Sequence, residues 1–300
     1  MPLEKMTVGF IGSGVMAEAM IKGLLKQGML PPSQIITADT RQERVDELAA
    51  RYGLRGTTDN SEAAESADIL VLSVKPQVLN EVMPEVRRGA HSSKLVLSII
   101  AGARIRTIAD GVANASVVRA MPNTPAQIGM GITVWTATPE VLAPQREQAK
   151  ALLGALGEQI HVDDERYLDM ATALSGSGPA YVFMFMEALI DAGVHMGFSR
   201  RDAERLVLQT VRGSVEYAES SGLHPAQLRN QVTSPGGTSA EAIYHLEKGG
   251  LRTVISRAVW AAFQRSAALG GGGTVRNPDV LDGDREALLG GCEHSIKPPK

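Results

Sequence analysis

Residues 7–19 constrain the fold of this 300-residue chain more than any other stretch. Val8, Phe10 and Ile11 form a short apolar run of β-formers, and Met16, Met20, Leu24 and Leu25 then recur at helical steps. Between the two patterns Gly12, Gly14 and Ala17 spell G-x-G-x-x-A. The first glycine permits a tight turn, and the second lets backbone approach a pyrophosphate. The small third residue lets the helix pack close to the strand, and the helix start offers N–H groups and the positive end of a dipole. Gly12, Ser13, Gly14, Val15 and Met16 therefore read as a dinucleotide site at the head of an α/β domain.

The stretches that follow fit that domain. Residues 35–39 read as a second strand ending in Asp39, an acid placed to accept from ribose hydroxyls, which favours NAD. Arg41 and Arg44 come next, and they either grip a 2′-phosphate, favouring NADP, or stay solvated on a helix over about 41–51. The signals are mixed, with the balance toward NADP. Residues 57–61 read as a loop and helix cap, with a short helix running to Ala67. Residues 68–74 are almost continuously apolar, as in a central parallel strand, and stop at Lys75 and Pro76 because proline cannot continue such a strand. Lys75 either meets cofactor at that edge or is a solvated loop lysine.

A strand over 94–100 ends in Ala101 and Gly102, small enough for a flat ring to approach. Residues 117–121 run into Pro122, Asn123, Thr124 and Pro125, a rigid loop that is either a wall of the site or a stiff connector. Residues 131–135 and 158–162 read as further strands around a helix near 144–156. This alternation predicts a mostly parallel, doubly wound sheet with helices on both faces over residues 1–162.

Beyond Asp164 only helical periodicities remain, which sets residues 163–269 apart as an all-α domain. Residues 181–196 are apolar nearly all round and should be buried on every side. About a hundred residues of such helices have little core of their own, so a second copy should cover them as a homodimer. Residues 270–300 open with four glycines and read as a flexible tail.

Composition excludes several alternatives. An apolar fraction of 44% suits a globular chain, and a net charge of −3 gives no general attraction to nucleic acid. No stretch reads as a leader or a membrane span. The single cysteine, Cys292, leaves the body without disulfide or thiolate chemistry, which suits a reducing cytoplasm. Six scattered histidines show no metal-ligand spacing, so no metal is expected.

Two stretches of the helical domain combine glycines with small hydroxyl residues, residues 172–181 and residues 234–242. Gly236 and Gly237 followed by Thr238 and Ser239 at a helix start would expose several N–H groups beside two hydroxyls, a cradle for a small carboxylate. Taken alone, each stretch also fits an ordinary capped helix start.

Taken in order, Gly12-Ser13-Gly14-Val15-Met16-Ala17, Val74-Lys75-Pro76-Gln77, residues 119–126 (Arg-Ala-Met-Pro-Asn-Thr-Pro-Ala), residues 174–181 (Leu-Ser-Gly-Ser-Gly-Pro-Ala-Tyr) and Ser234-Pro235-Gly236-Gly237-Thr238 resemble the motifs of the pyrroline-5-carboxylate reductase family. The resemblance spans about residues 6–269. It implies NAD(P)H-dependent reduction of the cyclic imine L-Δ1-pyrroline-5-carboxylate to L-proline, the last step of proline biosynthesis. It also implies a Rossmann domain, a helical dimerisation domain, and dimers assembled into a larger ring.

Carried onto this chain, the resemblance puts pyrophosphate on Gly12, Ser13, Gly14, Val15 and Met16, and adenosine on Asp39, Arg41 and Asn60. It puts nicotinamide on Ser73, Val74, Lys75, Pro76, Ile100 and Ala101. Substrate falls on Ser234, Gly236, Gly237, Thr238 and Ser239, near Ser175 and Pro179, with the dimer interface as one place for the two sets to meet. Two departures stand out. Ser239 replaces a common threonine, and the helix taken to follow the nicotinamide strand pair carries Ile99 and Ile100 where alanines are common, which narrows the ring pocket.

Ser239 or Thr238 is the expected hydrogen-bond donor to the imine nitrogen, relaying a proton from water or orienting an iminium. No histidine or carboxylate offers itself as the acid. Glu187, set in the apolar helix, has either a buried polar role or a structural partner. A β-hydroxyacid dehydrogenase would need a lysine soon after its second glycine loop, and none follows Leu174 before Lys248. A non-catalytic nucleotide sensor would have no use for the two hydroxyl-rich stretches.

Overall fold

A computed structural model of the chain describes residues 2–91 and 94–271. Cys292 and all but the first residues of the expected tail lie outside them. The sheet domain contains β1 (Val8–Ile11), α1 (Val15–Lys26), β2 (Ile35–Ala38), α2 (Gln42–Tyr52), β3 (Arg55–Thr57), α3 (Asn60–Ser66), β4 (Ile69–Leu72) and α4 (Leu79–Gly89). It continues with β5 (Leu95–Ser98), α5 (Ile105–Val112), β6 (Val117–Met121), β7 (Gly131–Ala137), α6 (Ala143–Gly154) and β8 (Gly157–His161). The eight strands order as β3-β2-β1-β4-β5-β6-β7-β8. Every pair is parallel except β6 with β7.

The two sides of the sheet are covered by separate apolar clusters. Met20, Leu24, Leu48, Leu152 and Leu153 from α1, α2 and α6 pack on one side with Phe10 and Trp135. Ala63, Ala64, Met83, Val86, Ile108 and Val112 from α3, α4 and α5 pack on the other. The strands β1, β2, β4 and β5 are buried at every position, which is why their sequences read as continuous apolar runs.

The sheet is mostly parallel, as expected, and its one antiparallel pair arises because the proline-fixed segment after β6 forms a 3₁₀ turn, Thr124–Ile128, that sends β7 back beside β6. Two readings are corrected here. Strand β3 was not foreseen: its residues are exposed or half-buried, so no apolar run announces it. Ile99 and Ile100 lie in a loop and not in a helix, since α5 begins only at Ile105.

The helical domain contains α7 (Arg166–Ala171), α8 (Gly178–His195), α9 (Arg200–Ser221), α10 (Pro225–Gln231), α11 (Thr238–Lys248) and α12 (Leu251–Leu269). The glycine-rich stretch before α8 is not a loop. Residues Thr172–Gly176 form a π-turn that joins α7 to α8. Thr172 and Ser175 donate their hydroxyls back to the carbonyls of Leu168 and Ala171, which keeps the backbone helical through Gly176. The joined run, Arg166–His195, is 30 residues long, and by length and composition it could cross a membrane. The expectation of no such run failed because the glycines were read as a break.

Burial of α8 on every side is also corrected. In the single chain Phe183 is 61% exposed and Met184 74%, and only Gly193 of that helix is buried. Among the described residues no element covers this face.

Candidate active site

Strand order reverses its direction of growth between β1 and β4, and open α/β sheets bind ligands at the carboxyl ends flanking such a point. Ser73, just past β4, donates its amide to Ile11 O at 2.9 Å and its hydroxyl to Gly12 O at 2.7 Å. Gly12 has φ +93°, and a Cβ there would lie 2.8 Å from Val74 Cγ1. Only glycine fits that turn. The structure therefore brings Gly12–Met16 and Ser73–Pro76 together, as the motifs implied.

Gly14 opens α1 with no side-chain cap, and nothing lies within 4 Å of where its Cβ would be. The amides of Gly14, Val15 and Met16 meet no acceptor among the described residues. Free donors at a helix start, with open space in front of a glycine, fit a pyrophosphate. Ser13 is different. Its hydroxyl is buried against Thr37 Oγ1 and Ala38 O, and its amide donates to Asp39 Oδ2 at 3.2 Å. Ser13 thus fastens the loop to β2.

Asp39 follows β2 on the same edge. It receives the Arg41 amide at 3.1 Å and the Arg41 guanidinium at 3.0 and 3.2 Å. Partial burial works to raise the Asp39 carboxyl, but the bonds from Arg41 and from the Ser13 amide outweigh it and hold the group below the usual carboxylate range. The Arg41 side chain is 67% exposed, so it is free to leave its partner for a phosphate. Arg44 is not. It donates to Ser13 O at 2.9 Å and pairs with Glu18 and Glu47, so it builds the scaffold under the loop. Asn60 is 7% exposed, and its amide donates to Glu85 Oε2 at 2.7 Å.

The loop after β5 comes next along the edge. Ile99 donates its amide to Leu72 O at 3.0 Å, which sets Ile100 and Ala101 beside the end of β4. Ile100 is buried and Ala101 half-buried, whereas Lys75 and Pro76 are exposed. One strand further, Asn123 past β6 accepts the Ile132 amide at 3.0 Å and donates to Ser175 O at 3.2 Å. A Cβ on Gly176 would lie 3.0 Å from Met121 Cε. The π-turn with Ser175 therefore rests on the same sheet edge, and Pro179 follows in the first turn of α8. The segment after β6 thus connects β7 and the π-turn to the end of β6.

The remaining residues are not brought there by one chain. Gly236 has φ +71°, Gly237 caps α11 without a side-chain bond, and the amides of Thr238 and Ser239 meet no acceptor among the described residues. These amides open at the start of α11, which packs chiefly on α12. Glu187 is exposed in the single chain. Among the described residues no group of three or more His, Cys, Asp or Glu side chains could hold a metal ion.

Sequence reasoning missed the ionic cluster behind the site. Arg119 of β6 is 2% exposed and bonds Glu165 at 2.6 Å and Asp169 at 3.4 Å. Its only sequence signal was Arg119 standing in a strand that is otherwise apolar.

Comparison with known proteins agrees with this geometry. Residues 165–269 match the family described as pyrroline-5-carboxylate reductase dimerisation, and residues 7–102 match the family described as NADP oxidoreductase coenzyme F420-dependent. The chain is 43% identical to the pyrroline-5-carboxylate reductase of Synechocystis sp., covering 88% of this chain and 98% of that one. It is 41% identical to the Pseudomonas aeruginosa enzyme of that name, covering 87% and 96%. Among solved structures, the Plasmodium falciparum pyrroline carboxylate reductase with NADP bound superposes with a TM-score of 0.82 at 33% identity, covering 89% of this chain and 99% of its own. The Coxiella burnetii pyrroline-5-carboxylate reductase gives 0.81 at 36% identity, covering 88% and 98%. Matched over 88% of its length at 43% identity, the chain belongs to the pyrroline-5-carboxylate reductase family.

Proposed function

We propose that this chain reduces L-Δ1-pyrroline-5-carboxylate to L-proline with NADPH, the last step of proline biosynthesis, and that it accepts NADH as well. The carrying observation is the single edge along which Asp39, Gly12–Met16, Ser73–Pro76, Ile100–Ala101 and Ser175 follow one another. That order suits a dinucleotide laid with adenosine at β2, pyrophosphate at α1 and nicotinamide toward β5, its ring facing the π-turn.

The cofactor, when bound, supplies hydride. The work of the chain is to hold the pyrophosphate on the amides of Gly14, Val15 and Met16, and to meet a 2′-phosphate with Arg41. With NADH, Asp39 would serve the free ribose diol. Substrate carboxylate sits on the Thr238 and Ser239 amides, with Ser234, Gly236 and Gly237 shaping the cradle. Since one chain leaves that cradle away from the nicotinamide side, a second copy completes the site. This accounts for the exposed apolar face of α8, which a partner protomer covers in place of lipid, and such dimers join into a larger ring. The division falls after residue 162. A cytoplasmic location fits a body without cysteine before Cys292.

Ser239, or its neighbour Thr238, donates a hydrogen bond to the imine nitrogen as hydride arrives at the adjacent carbon. Holding the reacting atoms about 3–3.5 Å apart supplies several kcal/mol by positioning alone. The test follows reduced-nicotinamide absorbance with pyrroline-5-carboxylate and each cofactor. NADPH consumption with stoichiometric proline is expected, and Ser239→Ala should lower kcat roughly tenfold or more. A loss below about threefold with unchanged KM would take Ser239 out of the reaction. Tight cofactor binding without turnover would leave a sensor.

A further inference from the structure

A group of charged side chains, with Arg119 and Asp169 buried and Arg104 and Glu165 partly so, lies behind the nicotinamide side of the edge, where the two domains meet. Asp169 of α7 is 2% exposed and accepts from Ser266 Oγ of α12 at 3.1 Å, from Arg119 at 3.4 Å and from Arg104 at 3.2 Å. Glu165 takes Arg119 at 2.6 Å and the Ile105 amide at 2.8 Å. Two arginines and two carboxylates balance in charge. Such a buried set adds little net stability over apolar packing, and its best-attested use is to fix one register between elements.

The element whose register matters is the loop over 99–104. Arg104 closes it and reaches into the helical domain twice, with Nη2 on Asp169 and Nε on Gly270 O at 3.3 Å. Gly102 has φ +74°, and a Cβ there would sit 3.0 Å from Leu269 Cβ, so the end of α12 presses directly on the loop. Ile100 and Ala101 are its next residues. Helices α7 and α12 thus grip the loop from behind while its front faces the cleft.

We infer that Arg104 is a positioning residue for the nicotinamide half of the cofactor: it holds Ile100 and Ala101 at a height set by α7 and α12. The inference rests on the assignment of those two residues to the nicotinamide. It places the ring's wall under control of the segment matched as a dimerisation domain, so assembly of two copies steadies the pocket from its far side.

The test compares two probes on the full-length assembled protein. 2′,5′-ADP reports the adenosine half alone, and NADPH, read by its fluorescence, reports both halves. Arg104→Gln should weaken NADPH about five- to tenfold and lower kcat, with 2′,5′-ADP affinity unchanged. Arg104→Lys, which returns a cation beside Asp169, should recover part of the loss. Ser266→Ala, a milder loosening of Asp169, should show the same split at smaller size, and it carries the test if Arg104→Gln fails to fold. Ala101→Leu is the control, crowding the ring from the loop itself. Parallel weakening of both probes, or no change in the Arg104 and Ser266 variants while Ala101→Leu weakens NADPH alone, overturns the inference. No effect of Ala101→Leu on NADPH overturns the nicotinamide assignment beneath it.

Discussion

The sheet domain and the helical domain use apolar residues in opposite ways. In the first, Val8, Phe10, Ile11, Leu24, Leu70 and Leu97 are all 0% exposed, and the chain supplies its own cover on both sides of the sheet. In the second, α10 and α11 bury no residue, α9 buries only Ala203, and Phe183, Met184, Leu206, Val254 and Ile255 stand open. The sheet domain satisfies itself, whereas the helices are half of a core. Stability of the first is a property of one chain, and stability of the second depends on chain concentration.

That contrast can be broken most forcefully on α8. Phe183→Asp with Met184→Asp puts charge where a second copy should pack, and burying each apolar side chain is worth about 1.5–3 kcal/mol. The double variant should sediment as monomer and lose helical signal and turnover, while the unmodified protein melts higher as its concentration rises. A dimer that survives both charges would move the interface elsewhere.

A smaller effect is expected in the sheet domain. Phe10→Ala removes a fully buried ring from β1 and should cost about 3–5 kcal/mol. The loss should be independent of concentration in denaturant titrations, and a concentration-dependent loss would mean that the two domains do not divide the work in this way.

The smallest effect concerns the scaffold under the glycine loop. Burial works to raise the Glu18 carboxyl, yet hydrogen bonds from Arg44, Tyr52 and Arg51 outweigh it and keep the group below the usual range. A depressed folded value means that the stabilisation is present above the unfolded carboxylate value, about 4.3, and disappears as pH falls through the lowered one. Glu18→Gln should therefore melt slightly lower at neutral pH and converge with the unaltered protein in acid. A gap that persists in acid would assign the effect to packing.

What could be read from sequence divides along physical lines. Gly12, Gly14 and Asp39 were legible because a turn, a helix start and a strand end each impose a local demand on residue type, whereas Ser73 entered only through the family resemblance. The apolar character of α8 was legible, and a second copy was inferred from it, but which side chains stand open in one chain is a tertiary fact. Residues 172–176 were misread because glycine suggests a break, while the hydroxyls of Thr172 and Ser175 and the Asn123 amide hold the helix open and intact. The pairing of Arg119 with Glu165 and Asp169 joins residues 46 and 50 positions apart, beyond the reach of any periodicity. Strand β3 was invisible because a short, exposed edge strand needs no apolar alternation.

The π-turn at Thr172–Gly176 also acts as slack between α7, which holds Arg119 of the sheet domain through Asp169, and α8. Each residue of an α-helix advances the azimuth by about 100°, and a π-turn advances less, so one circuit of it holds about one residue more. Losing one residue there would tighten the circuit to ordinary helix and leave Phe183 and Met184 close to their present direction. Losing one residue beyond it, inside α8, would swing every later side chain by about 100°. A change of chain length is therefore tolerated at this one circuit and not in the helix that follows.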